Sequence, residues 1–270
     1  MRVAAVQMNS GADVAANLQL AESLLAEAAA EGCKLAVLPE NFALMPLRGR
    51  DKAAIAETPG EGPIQTLLAE LSKRHGMWII GGSMPLVSPE IDRGRVYGAC
   101  PVYGADGEQK AIYRKIHLFD VDLVDKQESY RESRSMYPGD SVTTVDTPCG
   151  RVGLTICYDL RFPELFRQLV DAAATLFTVP AAFTATTGEA HWHTLLRARA
   201  IENLAYVLAP GQYGEHPDRR STYGHSLIVD PWGRVVAEAA DGNCIVVADI
   251  DPGLPAKLRS EFPALQNRRL

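Results

Sequence analysis

A thiol, a carboxylate and an ammonium group each close a predicted strand in this chain. Residues 151–164 read RVGLTICYDLRFPE, with Cys157 ending the apolar run Val152, Leu154, Thr155 and Ile156. Polar Tyr158, Asp159 and Arg161 then lead to a helix that opens at Pro163. A strand-to-helix elbow of this kind lifts a side chain off a sheet and turns the following backbone N–H groups towards it, which suits a nucleophile with an oxyanion site. Glu40 follows the strand at residues 34–38 and Pro39, and Lys115 ends the strand at residues 108–116. Strand ends at one edge of an α/β sheet bring distant residues together. There a carboxylate can take the thiol proton, since the thiolate is the nucleophile, while an ammonium holds charge on a carbonyl oxygen. The three together suit acyl transfer. Singly, each has a plainer explanation: a free thiol packs as a small hydrophobe, and a charge at a strand end is commonly just solvated.

The elements that must position these groups read as a mixed α/β chain. Residues 2–8 (RVAAVQM) form a buried strand. Asp13 caps a helix running to Glu31, with Leu18, Ala21, Leu25 and Ala28 on one face and Gly32 at its end. With the strand at 34–38 this makes a right-handed parallel crossover. A helix over 64–75, stopped by Gly76, and a strand over 77–81 follow. Strands 96–103 and 108–116, joined through Gly104 and Gly107, make a hairpin. Residues 117–140 are expected to form a long, irregular, ordered active-site loop that carries Glu128 and Glu132 and ends at Pro138-Gly139.

Beyond it come strands at 142–145 and 152–156, a helix at 163–171 and a strand at 176–179. A small-residue loop over 180–188, with Phe183 and Thr184, is placed to line a pocket. A helix over 189–203, a strand over 205–209 and a polar loop over 212–222 follow, then strands at 226–229, 234–238 and 244–249. A short helix and a basic tail lie beyond Pro252. Without a legible linker or repeat, one domain over residues 1–270 is expected.

The hydrophobic share of 47%, the charged share of 22% and the net charge of -6 fit a soluble globular protein without a basic nucleic-acid-binding face. A small molecule is the expected partner. No signal-peptide core and no stretch of the roughly 18 apolar residues a membrane helix needs are legible, so a cytoplasmic protein is expected. The five cysteines are scattered without a C-x-x-C pair, which offers neither a disulfide framework nor a metal site. His117 and His225 lie near strand ends, so a Cys-His dyad is the competing catalytic arrangement. His191 and His193 are two apart on a helix, do not share a face, and read as ordinary helix residues.

Three blocks, LPEN at residues 38–41, YRKIHLFD at 113–120 and GLTICYDLRFPEL at 153–165, resemble the signature blocks of the carbon-nitrogen hydrolase, or nitrilase, superfamily. They occur in that family's order, and the similarity runs from Val3 to the C-terminus. The resemblance implies an α/β fold of the nitrilase type, a four-layer α-β-β-α sandwich with mixed sheets, that forms homodimers or higher homo-oligomers. It makes Glu40 the general base, Lys115 the oxyanion-holding lysine, Cys157 the nucleophile, and the Tyr158 backbone N–H a second oxyanion donor. It further implies a second glutamate in a block like ESRSMYPG, which selects Glu132 over Glu128. No metal or other cofactor enters the implied reaction. A catalytically idle scaffold of the same fold is the alternative of another class, and the intact Glu-Lys-Cys set argues against it.

The blocks AHWHTLLRARAIEN, STYGHSLIVDPWG and FPALQNRR most resemble the branch that contains deaminated-glutathione amidase and the ω-amidase of 2-oxoglutaramate, and the RRSTYGHS and DPWG wording leans to the former. Both substrates are amides carrying a 2-oxo acid carboxylate. Arg161, four residues past the nucleophile, is the best placed planar partner for it, with Phe183 and Thr184 beside the substrate. An ion pair of Arg161 with Asp159 or Glu164 is the competing role. Glu189 and His193 stand where that branch is expected to carry Pro and Glu.

Overall fold

The computed structural model describes the 270-residue chain apart from residues 49, 90–93, 124–127, 218 and 270, and apart from the side chains of Leu123 and Glu128. The strands are β1 (Arg2–Gln7), β2 (Leu35–Val37), β3 (Trp78–Ile80), β4 (Met84–Leu86), β5 (Val96–Tyr103), β6 (Gln109–Arg114), β7 (Asp120–Leu123), β8 (Glu128–Arg131), β9 (Met136–Tyr137), β10 (Thr144–Thr147), β11 (Gly150–Leu154), β12 (Leu176–Thr178), β13 (Tyr206–Ala209), β14 (Tyr213–Glu215), β15 (Ser221–Tyr223), β16 (Leu227–Val229), β17 (Val235–Glu238) and β18 (Cys244–Asp249). The helices are α1 (Val14–Ala30), α2 (Asp51–Ala54), α3 (Pro63–His75), α4 (Pro163–Asp171), α5 (Ala185–Asn203) and α6 (Leu254–Glu261).

Side chains alternate across a strand, and in β1 this sends Val3 and Ala5 into one apolar core and Ala4 and Val6 into another. A strand buried on both faces belongs inside a layered structure. One sheet runs β18-β1-β2-β3-β5-β4, with β6 and β9 also paired to β5. Its outer face is covered by α1, through Ala21, Leu24, Leu25 and Ala28, and by α3, through Ile64, Leu68 and Leu71. The second sheet runs β10-β11-β12-β13-β16-β17. Leu165, Phe166 and Leu169 of α4 and Trp192, Leu196 and Ala200 of α5 cover it. The result is the expected order of layers, α-β-β-α.

Local chemistry sets the element ends. The Asp13 side chain accepts from Ala16 N at 3.2 Å to cap α1, and Gly76, at φ 57°, ends α3 in the left-handed conformation. The parallel runs β1-β2-β3 and β11-β12-β13 bring Pro39-Glu40, Cys157 and the segment after β12 to strand C-terminal ends. Lys115 directly follows β6.

Two expectations fail in the same way. The described part of residues 117–140 is not irregular: β7 pairs antiparallel with β8, and β9 joins β5 in parallel. The described part of residues 212–222 is not simply a polar loop, because β14 pairs with β15 and Gln212 and His216 are buried. Strands of three or four residues that pair chiefly with each other are too short for their pattern to stand out from a polar surround, so they read as loops. The helix expected from residue 189 starts at Ala185. Gly188 lies inside it, where a Cβ would sit 2.3 Å from Tyr223 Cβ; this glycine serves close packing of β15 on α5. The short elements α2 and β4 had no counterpart in the expected pattern.

Candidate active site

Cys157 sits in the elbow between β11 and a 3₁₀ turn over Cys157–Arg161. Its φ of 48° is left-handed, an arrangement that costs a non-glycine residue about 1–2 kcal/mol and that the surroundings must enforce. The enforcement is visible. Cys157 N donates to Pro180 O at 2.8 Å. The fully buried Asp159 carboxylate accepts from Ile156 N (2.8 Å), Tyr113 OH (2.7 Å) and His117 N (3.0 Å), and pairs with His117 Nδ1 at 2.7 Å. Asp159 therefore ties the elbow to the segment that carries Lys115. Among the described residues the Tyr158 N–H has no acceptor.

Glu40, Lys115 and Glu132 meet beside the thiol. Lys115 Nζ donates to Glu40 Oε1 at 2.8 Å and to Glu132 Oε2 at 2.9 Å. Glu40 Oε2 accepts from Ala182 N at 2.8 Å, and the Glu40 carboxylate is close enough to the Cys157 thiol for each to affect the other's ionisation. Glu132 is oriented by Phe119 N at 2.7 Å. Lys115 is only 2% exposed. Burial alone would discharge it, yet the flanking Glu132 and Glu40 carboxylates hold its pKa well above the ordinary lysine value. Burial likewise opposes ionisation of Glu40, but Lys115 outweighs it and keeps the carboxyl below its usual range. Burial, and then the Glu40 charge, push the Cys157 thiol well up. The resting set is thus carboxylate, ammonium and thiol. A base beside a protonated nucleophile, with an ammonium next to both, can carry acyl transfer.

These residues line a cavity of about 220 Å³. Arg161, Phe183 and Thr184 line it too. Arg161 bonds with His191 Nδ1 at 3.2 Å and lies 5.0 Å from the Phe183 ring centroid. Among the described residues it forms no ion pair with Asp159 or Glu164. The competing dyad is not formed: His117 is bound to Asp159 and stacked on Phe162, and His225 bonds to Glu238. The Glu128 side chain lies outside the described residues.

Other lining residues had no sequence signal. Arg48, Lys52, Arg131 and Arg220 face the same cavity. Charges in a Pro- and Gly-rich loop ordinarily point to water, and only the folded chain shows Lys52 to be 8% exposed. Its burial lowers its pKa against the pull of Glu132 and Glu40.

A model of the family described as carbon-nitrogen hydrolase matches residues 2–259. The chain is 41% identical over 267 residues to the deaminated glutathione amidase of Yersinia enterocolitica, covering 99% of this chain and 92% of that protein. It is 40% identical over 269 residues to the omega-amidase NIT2 of Homo sapiens, covering 99% and 95%. The crystal structure of the C. elegans NitFhit protein matches with a TM-score of 0.91 at 37% identity over 99% of this chain, which spans 65% of that longer one.

Proposed function

Since the chain belongs to the carbon-nitrogen hydrolase family and is a hydrolase of carbon–nitrogen bonds, we propose that it is a cysteine amidase for small carboxylated amides, with deaminated glutathione as the leading substrate. Glu40 takes the Cys157 proton and the thiolate attacks the amide carbon. The oxyanion is held by the Tyr158 N–H and by the Lys115 ammonium, which Glu40 and both oxygens of Glu132 hold beside the thiol. Glu40 returns the proton to the nitrogen, the C–N bond breaks, and cysteinylglycine leaves as the amine. Water, deprotonated by Glu40, then attacks the thioester; the C–S bond breaks, the thiol is restored and 2-oxoglutarate is released.

The observation that carries the substrate class is the charge of the cavity. Six cationic side chains (Arg48, Lys52, Lys115, Arg131, Arg161 and Arg220) and two carboxylates (Glu40 and Glu132) line it, in a protein of net charge -6. Such a wall favours an anion. Deaminated glutathione has a carboxylate at each end, whereas 2-oxoglutaramate, the second candidate, has one. The relatives named for the two activities are about equally similar, so this charge count is the reason for the order. Steady-state kinetics on both amides test it: kcat/KM is expected to favour deaminated glutathione, and Arg161→Gln to raise KM about tenfold or more by losing a charged contact. A preference for 2-oxoglutaramate would overturn the substrate order and leave the chemistry standing.

Glu132 is proposed to position Lys115. In Glu132→Gln the side chain keeps an oxygen for Phe119 N–H but loses the charge beside the ammonium, and turnover is expected to fall about 10²-fold with little change in melting temperature. Near-normal kcat would reject the assignment and return attention to Glu128.

The proposal extends to a cytoplasmic homo-oligomer without nucleic-acid partners. Among the described residues no helix is long and apolar enough to cross a membrane, and the five cysteines are free. Ile201 of α5 and the neighbouring Trp232 and Phe262 are about half exposed, which gives the α5 side an apolar surface for self-association.

A further inference from the structure

His193 of α5, His225 of the β15-β16 connection and Glu238 of β17 converge outside the cavity, none of them among its lining residues. Glu238 Oε1 lies 2.8 Å from His193 Nε2 and 2.8 Å from His225 Nδ1. The three candidate ligand atoms all lie within 4.8 Å of one another. We propose that these residues form a binding site for a divalent transition-metal ion of the Zn²⁺ type.

The framework holds the three in place. His193 follows Trp192, whose ring is buried and whose indole N–H donates to His225 O at 2.8 Å, so the helix pins the backbone of the second histidine. His225 adopts a left-handed φ of 50° and stacks on Tyr223, 4.3 Å between ring centroids. Glu238 is fixed by the β16-β17 ladder, opposite Leu227. The side chains are 33%, 41% and 34% exposed, open enough for an ion to enter and keep water in its remaining positions.

Two imidazoles and one carboxylate form a nitrogen-rich set that suits Zn²⁺, Co²⁺ or Ni²⁺; Mg²⁺ and Ca²⁺ prefer oxygen alone. Metal bonds of about 2.0–2.1 Å at tetrahedral angles put ligand atoms about 3.3 Å apart. The two short separations need to open by only about half an ångström. On binding, each histidine presents a lone pair where it now faces the carboxylate, which a shift to its other neutral tautomer provides. This site was invisible in sequence because its residues are spread over more than forty positions; the tempting neighbour His191 instead faces Arg161.

Co²⁺ and Zn²⁺ titration of the full chain tests the proposal, in wild type and in Cys157→Ala, which removes the cavity thiol as a competing soft ligand. One ion per chain is expected in both, with Kd of roughly 1–100 µM, a cobalt d–d spectrum, and no displacement by Mg²⁺. His193→Gln, His225→Gln and Glu238→Gln are each expected to weaken binding about tenfold or more. At 100-fold excess over Kd the wild type should melt roughly 4–8 °C higher, and folded His193→Gln, checked by circular dichroism, should not. Absence of binding at millimolar metal, or binding untouched by all three triad variants, or binding lost in Cys157→Ala alone, would overturn it.

Discussion

In the Cys157→Ala protein, hydrolysis of deaminated glutathione is expected to fall by at least about 10⁴-fold, with the fold retained. Removing a covalent nucleophile leaves only binding and oxyanion stabilisation, which are small remnants of the whole effect. The structure indicates why the protein should survive the change. Alanine at φ 48° carries much the same backbone cost as cysteine, and both Glu40 oxygens keep partners in Lys115 and Ala182 N. The loss of a small buried volume should alter unfolding free energy by about 1 kcal/mol. Initial rates together with a thermal melt check both halves. Turnover within tenfold of wild type would remove Cys157 from the mechanism.

Glu40→Gln separates the proposed base from the proposed nucleophile. Loss of a general base is expected to lower turnover about 10³-fold, yet the thiol should become easier to ionise. In the wild type the Glu40 charge, after burial, holds the Cys157 pKa up, and Lys115 works against it. With glutamine in place the anion is gone and the ammonium remains, so the thiolate forms at lower pH. Ultraviolet thiolate absorbance against pH, referenced to Cys157→Ala, reads the shift; an unchanged or raised midpoint would contradict this electrostatic account. Stability follows the same linkage. The Glu40 carboxyl is depressed below its ordinary 4.5, so its contribution is present above that value and lost as pH falls through the folded pKa. The variant should therefore be less stable than wild type near neutrality, and the gap should close in acid.

How far the site was legible follows from where each residue gets its role. Cys157, Glu40 and Lys115 are tied to strand ends, and strand ends are marked by local features: an apolar run, a Pro, a turn. Arg161 was within reach because it lies four residues past Cys157, and Phe183 and Thr184 because they lie in the small-residue loop after β12. Lys52 was not, because its burial is produced by packing against residues from distant segments, and a charged loop residue looks the same whether it faces water or a cavity. The β7-β8 and β14-β15 hairpins were lost for a related reason. Their stability rests on mutual pairing and on tertiary support, and strands of three or four residues are too short to reveal it. Asp159 looked like half of an ion pair with Arg161, whereas its oxygens are taken by Tyr113, His117 and the elbow's own backbone.

The antiparallel pairing of β1 with β18 has a consequence for biogenesis. Arg2 and Asp249 are partners although 247 residues separate them. At a synthesis rate of ~5–20 residues per second, that side of β1 stays without its neighbour for roughly 10–50 s after it leaves the ribosome. An unpaired strand edge is a template for association with other chains, and such distant pairings form slowly. A nascent chain that has passed Arg220 already contains every group proposed to catalyse the reaction, yet its first sheet is still open on one side. Chaperone demand should therefore peak late in translation, in chains that are chemically complete and structurally unfinished.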